Sequence, residues 1–467
     1  MSFVATFNRL PLPDWVRRAR EAEDGAVRAS LARPTLSLED FAHLLSPAAA
    51  GHLEAMAARA QRLTRQRFGN VIRLFAPLYL SNECINNCRY CGFSRDNPIL
   101  RVSLTVDEVL REARALQEQG FRNLLLVAGE HPRFVSNGYL RDCVAALHAE
   151  VPSLSLEVGP LETADYAPLV TAGAEGLVVY QETYDRDLYA DLHTAGPKRN
   201  FDWRLETPER AYAAGFRRLG IGALYGLADW RTEALCVAAH AAYLLRHCWK
   251  ATLTLSLPRL RPCAGEFQPL THMADRDLVQ LVCAFRLLFP DVGLVLSTRE
   301  PARLRDGLIP LGITLMSAGS HTEPGGYTGA GQSHVHRTER GRIVELGASE
   351  WAPAQRPRPR PPSSSTSLIT GRRPKWPGGF APSVTSRSGK TGMRPSRHER
   401  IRPHRERPVR ARRAALHPRG LPPRPRVSAT HRRGGAQRGK PSRRPEFKAR
   451  QLQPGDRLEI VQVVAGG

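Results

Sequence analysis

From about residue 71 the chain alternates between short apolar runs and longer stretches with a helical repeat. The apolar, β-branched runs predict strands at Val71–Leu80, Asn123–Ala128, Leu154–Val158, Gly176–Thr183, Arg218–Ala223, Ala251–Pro258, Val292–Thr298 and Ile313–Ser317. The stretches between them predict helices at Asp107–Gln119, Tyr139–Glu150, Asp165–Ala172, Glu209–Ala214, Thr232–His247, Asp275–Phe289 and Pro301–Leu308. Strands and helices that alternate in this way predict an α/β fold, a (β/α)8 barrel of the TIM type.

The two ends of the chain follow different patterns. Residues 1–70 have a helical pattern, and we expect an N-terminal helical extension before a barrel at 71–327. Of the 68 Lys and Arg and the 44 Asp and Glu in the chain, 28 basic and three acidic residues lie in 351–450, which leaves 40 and 41 elsewhere. The net charge of +24 therefore belongs to one segment. We expect residues 328–445, rich in Arg and Pro, to be disordered because they have few aliphatic side chains to bury.

Three cysteines follow the first predicted strand. Cys84, Cys88 and Cys91 have the spacing C-x3-C-x2-C. Three thiolates on one loop can hold three irons of a [4Fe-4S] cluster, which normally takes four cysteines, so the fourth iron is open to an outside ligand. A zinc site usually has paired C-x2–4-C spacing, which has no second pair here, and a disulfide framework is typical of small secreted chains. The run resembles the radical S-adenosylmethionine motif.

Polar residues at the strand ends are candidates for the rest of this site, because barrel enzymes carry their chemistry there. In proteins with this motif the amino and carboxylate groups of S-adenosylmethionine chelate the open iron. Glu130 and Glu157, at the ends of the second and third strands, are candidates to meet the amino group or the ribose. Arg204 is the candidate partner of the methionyl carboxylate. On the far strands, Arg299 and Ser317 or Ser320 are candidates to hold a second amino acid.

Simpler interpretations of these residues stay open at the level of sequence. For Glu130 the simpler interpretation is a solvated acid of a loop. Arg204 has Glu206 nearby as an ion-pair partner, and Arg299 has its neighbour Glu300.

Residues from about Phe3 to Tyr327 resemble 2-iminoacetate synthase, the radical S-adenosylmethionine tyrosine lyase of thiamine biosynthesis. The phrases that carry the resemblance are Leu45–Ala49, Gln61–Asn70, Pro77–Asn82, Val179–Tyr184, Trp203–Pro208, Pro258–Cys263 and Pro324–Tyr327. The resemblance implies cleavage of the Cα–Cβ bond of L-tyrosine to 2-iminoacetate (dehydroglycine) and p-cresol. S-adenosylmethionine would be reduced to 5′-deoxyadenosine and methionine. A sister family that makes hydrogenase cofactor ligands carries further cysteines near its C-terminus, whereas no cysteine follows Cys283 here.

The resemblance also implies roles for individual residues and partners. Glu130, Glu157, Tyr180, Glu182 and Arg204 would line the S-adenosylmethionine site. Arg299, Ser317 and Ser320 would hold tyrosine. Thiazole synthase would receive the product, and a reducing flavodoxin or ferredoxin would supply electrons. No signal segment and no membrane-length apolar run occurs in the sequence, so we expect a cytoplasmic protein without a membrane partner.

The C-terminal part departs from the family. Residues 446–467 are strand-like, end in Gly466-Gly467 and resemble the C-terminus of the thiamine sulfur carrier protein. We interpret 330–445 as the product of a frame change in GC-rich coding sequence. The alternative is a basic arm that binds nucleic acid through phosphates without sequence preference. Two further functions stay open: a lyase acting on another aromatic amino acid, such as tryptophan, and a nucleic-acid-binding protein acting through the tail.

Overall fold

Eight parallel strands close into a barrel in the computed structural model, which describes residues 2–261, 267–339 and 342–344. The strands are β1 (Arg73–Ser81), β2 (Asn123–Ala128), β3 (Ser153–Glu157), β4 (Gly176–Val178), β5 (Arg218–Gly222), β6 (Thr252–Ser256), β7 (Gly293–Leu296) and β8 (Leu315–Ser317). They follow chain order around the barrel, and pairing of Arg73 with Leu315 brings β1 against β8 and closes it. The predicted (β/α)8 fold is confirmed.

Helices form the outer layer and the N-terminal extension. They are α1 (Phe3–Phe7), α2 (Leu12–Glu21), α3 (Asp24–Ala32), α4 (Leu38–Leu45), α5 (Leu53–Phe68), α6 (Val106–Glu118), α7 (Asn137–His148), α8 (Thr163–Ala172), α9 (Arg186–Leu192), α10 (Phe201–Leu205), α11 (Thr207–Ala214), α12 (Trp230–His247), α13 (Asp275–Leu288) and α14 (Ala302–Leu308). The N-terminal helices α4 and α5 pack on α13, and α2 packs on α4 and α12. Capping boxes at Ser37 and Thr105 fix the starts of α4 and α6 by satisfying free backbone N–H groups.

The predicted and observed elements differ mainly between β4 and β5. We predicted a strand over Gly176–Thr183. The observed β4 ends at Val178, although the N–H groups of Val179 and Gln181 still donate to the carbonyls of Gly220 and Gly222 on β5. The short helices α9 and α10 were not predicted. A ribbon pairs Asn87–Cys88 with His193–Ala195, so this region folds back over the cysteine loop.

The barrel contacts extend beyond Tyr327, where we placed the start of the Arg/Pro segment. Thr328 donates to Glu112 on α6 through its backbone N–H, over 2.7 Å. The imidazole of His334 contacts the carboxyl group of Glu108, and His336 Nε2 lies 2.7 Å from Glu83 Oε1. The boundary at 328 is therefore wrong as an end of folded structure, because buried acids of α6 and of the cysteine loop bind this segment.

The other predictions for the C-terminal part concern residues outside those that the structure describes. This holds for the Arg/Pro-rich sequence after residue 344 and for the carrier-like residues 446–467. In the part of the chain that the structure describes, no helix has the length and apolar character needed to cross a membrane.

Candidate active site

The loop that follows β1 carries Cys84, Cys88 and Cys91 at the carboxyl end of the barrel strands. The backbone N–H of Cys91 donates to the carbonyl of Cys88 over 3.1 Å, so these two residues lie on one tight turn. The N–H of Ile85 donates to the carbonyl of Glu130 over 2.8 Å and ties the loop to the end of β2. Gly129 permits this approach, since a Cβ there would lie 2.2 Å from the carbonyl oxygen of Glu83.

Arg101 fixes the shape of the cysteine loop from beneath. Its side chain is 2% exposed, and its guanidinium donates to four backbone carbonyls rather than to an acid. The acceptors are Asn82 (2.7 Å), Phe93 (2.9 Å), Ser94 (2.7 Å) and Asn97 (3.3 Å). A rigid fork of donors holds a loop geometry better than flexible contacts do, so the three cysteines are presented by a preformed loop.

The three thiols fit an iron–sulfur cluster. All three are free of disulfide bonds. Burial raises the pKa of Cys88 to about 12, against the opposing positive charge of Lys198. Within the described residues, no three His, Cys, Asp or Glu side chains converge as ligands of a single metal ion. A cubane makes a different demand, because each of its thiolates binds a separate iron. The thiols Cys84, Cys88 and Cys91 would be its ligands.

Glu130 is bound to the cysteine loop and is not a freely solvated acid. The Nδ2 atom of Asn86 donates to Oε2 of Glu130 over 2.7 Å and lies 3.7 Å from the Sγ of Cys84. The Oδ1 atom of Asn86 accepts from the backbone N–H of Lys198 over 2.9 Å. Asn86 therefore joins three elements of the site: a cysteine, the acid after β2 and the segment after α9.

Glu182 is the centre of a buried charge cluster. Lys198 Nζ lies 2.7 Å from Glu182 Oε1, and Arg204 Nη2 lies 3.4 Å from the same oxygen. Arg204 Nε also donates to the carbonyl of Tyr180 over 2.7 Å. Burial alone would raise the pKa of Glu182, but the charges of Lys198 and Arg204 hold it below its ordinary value. Arg204 therefore pairs with the buried Glu182, so the alternative interpretation, a surface ion pair with Glu206, is wrong.

The backbone of Glu182 is strained. Its φ of 72° is the only positive φ of a non-glycine residue in the described part of the chain. Such a conformation costs roughly 1–3 kcal/mol and persists only where surrounding contacts enforce it. At this residue the backbone leaves the extended conformation, and its carboxyl group contacts Lys198 and Arg204.

Glu157 and Tyr180 lie between the cysteine side and the far strands. Glu157 is the last residue of β3, and its carboxyl group accepts no hydrogen bond from the described residues. Burial first, and then the charge of Glu182, raise its pKa to about 7. The hydroxyl of Tyr180 donates to Ser256 Oγ on β6 over 3.2 Å. A carboxyl without a protein partner in a charged cleft is available to a ligand.

Ser317 and Ser320 are joined through Thr298 at the ends of β7 and β8, and Arg299 follows Thr298 directly in the chain. Ser317 Oγ accepts from the N–H of Thr298 over 3.2 Å, and Thr298 Oγ1 donates to Ser320 Oγ over 3.4 Å. The side chain of Arg299 forms no ion pair with any described residue, and its positive charge acts on Glu157. Its suggested partner Glu300 is instead bound by Arg259 and Arg261, so the salt-bridge interpretation of Arg299 is wrong.

Asn86, Lys198 and Thr298 were missed by sequence reasoning. Lys198 lies in a short 3-10 helix (Pro197–Arg199), 16 residues after its partner Glu182. The one available signal was the length of chain between β4 and α11, since long connections in compact domains are often functional. Gly196 also has a structural reason, because a Cβ there would lie 2.3 Å from Asn86 Oδ1.

The chain is similar in sequence to known protein families and to individual proteins. Residues 78–236 match the radical SAM superfamily and residues 256–348 match the biotin and thiamin synthesis associated domain. The chain is 50% identical over 302 residues to the 2-iminoacetate synthase of Escherichia coli K12, covering 64% of this chain and 80% of that protein. It is 49% identical over 327 residues to the 2-iminoacetate synthase of Salmonella typhimurium, covering 70% and 87%.

A solved structure shares the fold as well. The FeFe-hydrogenase maturase HydG from Carboxydothermus hydrogenoformans is 36% identical, with a TM-score of 0.61, and covers 70% of this chain and 76% of that one.

Proposed function

Because the chain belongs to the 2-iminoacetate synthase family, we propose that it is a radical S-adenosylmethionine lyase that cleaves the Cα–Cβ bond of L-tyrosine. The products are 2-iminoacetate and p-cresol, and the 2-iminoacetate serves the thiazole part of thiamine. The observation that carries the proposal is the close meeting of three free thiols with Glu130, Glu182, Lys198 and Arg204 at one end of the barrel.

Enzymes of this superfamily use a [4Fe-4S] cluster and S-adenosylmethionine, and the thiols Cys84, Cys88 and Cys91 fit three of the iron positions. When bound, the reduced cluster supplies the electron that splits the sulfonium into methionine and an adenosyl radical. The protein's own part is to hold the reactants in a closed cleft, orient them and exclude water.

We assign the cysteine side of the cleft to S-adenosylmethionine. Glu130, fixed by Asn86, accepts from the amino group of the methionyl moiety. Arg204 and Lys198 supply positive charge for its carboxylate, and Glu182 orients both cations. Charge-assisted hydrogen bonds of this kind are about twice as strong as neutral ones, so a few of them fix the ligand's position.

We assign the opposite side to tyrosine. Arg299 has no acidic partner in the described residues and supplies a guanidinium for the substrate carboxylate. Ser317 and Ser320, joined through Thr298, supply hydroxyls near the substrate amine. Glu157 and Tyr180 lie between the two ligands, where a partly protonated carboxyl can accept from the ribose or the amine.

The proposal extends to partners. A thiazole synthase receives 2-iminoacetate, which is short-lived in water and is best handed over directly. A flavodoxin or ferredoxin reduces the cluster, and free thiols together with low-potential electrons are typical of the cytoplasm.

The decisive test is anaerobic incubation of reconstituted protein with L-tyrosine, S-adenosylmethionine and a chemical reductant. We expect release of p-cresol and 5′-deoxyadenosine in matched amounts. The second reading of the site is a lyase for another aromatic amino acid. Deoxyadenosine without p-cresol, together with a cleavage product from tryptophan, would favour that reading. Absence of deoxyadenosine from cluster-loaded protein would contradict both.

A further inference from the structure

The two residues after the strained Glu182 contact a buried acid, Glu233, that lies outside the site described so far. Thr183 and Tyr184 follow Glu182 directly, and both donate to the carboxyl group of Glu233. The hydroxyl of Thr183 lies 2.5 Å from Glu233 Oε1, and the N–H of Tyr184 lies 3.2 Å from Oε1 and 3.0 Å from Oε2. One carboxyl group therefore binds two successive residues just beyond the positive φ.

Glu233 is unusual among the acids of the outer helices. It lies in the first turn of α12, is 1% exposed and forms no ion pair with any described residue. An unpaired acid in such a place is costly unless its hydrogen bonds compensate for the lost hydration. Among the described residues, the hydrogen bonds to its carboxyl group all come from Thr183 and Tyr184, so this carboxyl group holds the segment after Glu182.

The turn is also held from its other side. The N–H of Leu224, just after β5, donates to the carbonyl of Glu182 over 2.8 Å. This contact holds the carbonyl of the peptide between Glu182 and Thr183 from the β5 side. Glu233 holds the residues that follow, because it accepts from the hydroxyl of Thr183 and from the N–H of Tyr184.

We propose that Glu233 is a positioning residue that keeps Glu182 in its strained conformation and thereby sets Lys198 and Arg204 for the carboxylate of S-adenosylmethionine. The chain of contacts runs from Glu233 through Thr183 and Tyr184 to Glu182, and from Glu182 to the two cations. The inference rests on the proposed function of this cleft and adds a residue outside it.

The test compares variants at Glu233 in anaerobically reconstituted, cluster-loaded protein. Glu233→Gln keeps an Oε1 that can accept from both donors, whereas Glu233→Leu has none. A matched control is Gln280→Leu, since Gln280 is also buried on an outer helix, but it donates to the carbonyls of Leu44 and Ser46, in the N-terminal extension. Two quantities are measured: the Kd of S-adenosylmethionine by equilibrium dialysis, and the change it causes in the electron paramagnetic resonance spectrum of the reduced cluster.

We expect Glu233→Leu to raise this Kd at least ~10-fold and to blunt the spectral change, with iron content unchanged, since losing the acceptor leaves buried donors unsatisfied. Glu233→Gln should stay within ~3-fold of wild type, and Gln280→Leu should bind like wild type even if its melting temperature falls. Thr183→Val, which removes one donor, is the second variant should Glu233→Leu not fold, and we expect an intermediate Kd.

Two outcomes overturn the inference. One is a wild-type Kd in Glu233→Leu, or in Thr183→Val if the former does not fold. The other is equal weakening in Gln280→Leu, which would reduce the effect to general destabilisation. Failure of cluster-loaded wild type to bind S-adenosylmethionine at all would instead contradict the proposed function, so the two failures are distinguishable.

Discussion

The two ends of the barrel use polar residues in opposite ways. At the amino ends of the strands, Arg73 and Asn123 open β1 and β2, and Ser153 opens β3. Arg73 donates to Asn123 Oδ1 over 2.7 Å and to Ser153 Oγ over 3.2 Å, and Arg218 donates to the same hydroxyl over 2.9 Å. At the carboxyl ends, the carboxyl group of Glu157 has no hydrogen-bond partner among the described residues. The polar groups at the amino ends hydrogen-bond to one another, whereas a carboxyl group at the carboxyl ends stays available for a ligand.

This difference separates stability from function in a testable way. The polar side chains at the amino ends bind one another, so removing one of them should lower the free energy of unfolding and leave function unchanged. An end with unsatisfied and strained groups carries a cost to stability that ligands relieve, which is typical of active sites.

The largest effect is expected at the cysteine loop. Cys88→Ala removes one of three thiolate ligands, so iron and sulfide contents should fall close to background and p-cresol formation to the detection limit. Cys143→Ala is the matched control, because Cys143 is buried on α7 away from this loop. Retention of a full cluster in Cys88→Ala would remove Cys88 from the ligand set.

The next effect is expected at the buried charge cluster. Arg204→Ala leaves Glu182 with one cation and should weaken S-adenosylmethionine binding by about 2 kcal/mol or more, roughly 30-fold in Kd. Arg210→Ala is the control, since Arg210 donates to the carbonyls of Leu161 and Trp203 and takes no part in the cluster. Equal weakening by both variants would contradict a specific role for Arg204.

The fold was largely predicted from the sequence, and the candidate site only in part. Asn123–Ala128 was predicted with its observed bounds, because apolar runs between turn residues are a local signal. The cysteine spacing is equally local. Lys198 was missed because its ion pair with Glu182 depends on the tertiary fold-back of a short connection, which no periodicity encodes. The positive φ of Glu182 was missed for a related reason, since tertiary contacts enforce it against the residue type.

At the opposite end of the barrel the effect should be on stability. Arg73→Ala leaves Asn123 and Ser153 short of a donor and should lower the free energy of unfolding by roughly 1–3 kcal/mol. Kinetic constants of the folded, cluster-loaded protein should not change. Arg114→Ala removes an exposed pair with Glu150 and should leave the free energy of unfolding nearly unchanged. A loss of S-adenosylmethionine affinity in Arg73→Ala would break the proposed division between the ends.

The last effect, seen only as a change with pH, is expected from the titration of Glu157. Its pKa in the folded protein, about 7, is above its ordinary value of 4.5. Protonation therefore favours the folded ligand-free state: this contribution to stability is complete below about pH 4.5 and is lost as pH rises through about 7. Glu157→Gln should flatten the stability profile between these values in chemical denaturation. An unchanged profile would show that Glu157 titrates normally.

The central claim is that Cys84, Cys88 and Cys91 hold a cluster whose fourth iron binds S-adenosylmethionine. Electron–nuclear double resonance tests it directly, using reduced protein and S-adenosylmethionine labelled with magnetic isotopes at its amino nitrogen and carboxylate oxygens. We predict hyperfine couplings from both labelled groups, which require direct ligation of the iron. A cluster signal that shows neither coupling while S-adenosylmethionine is bound would contradict the account.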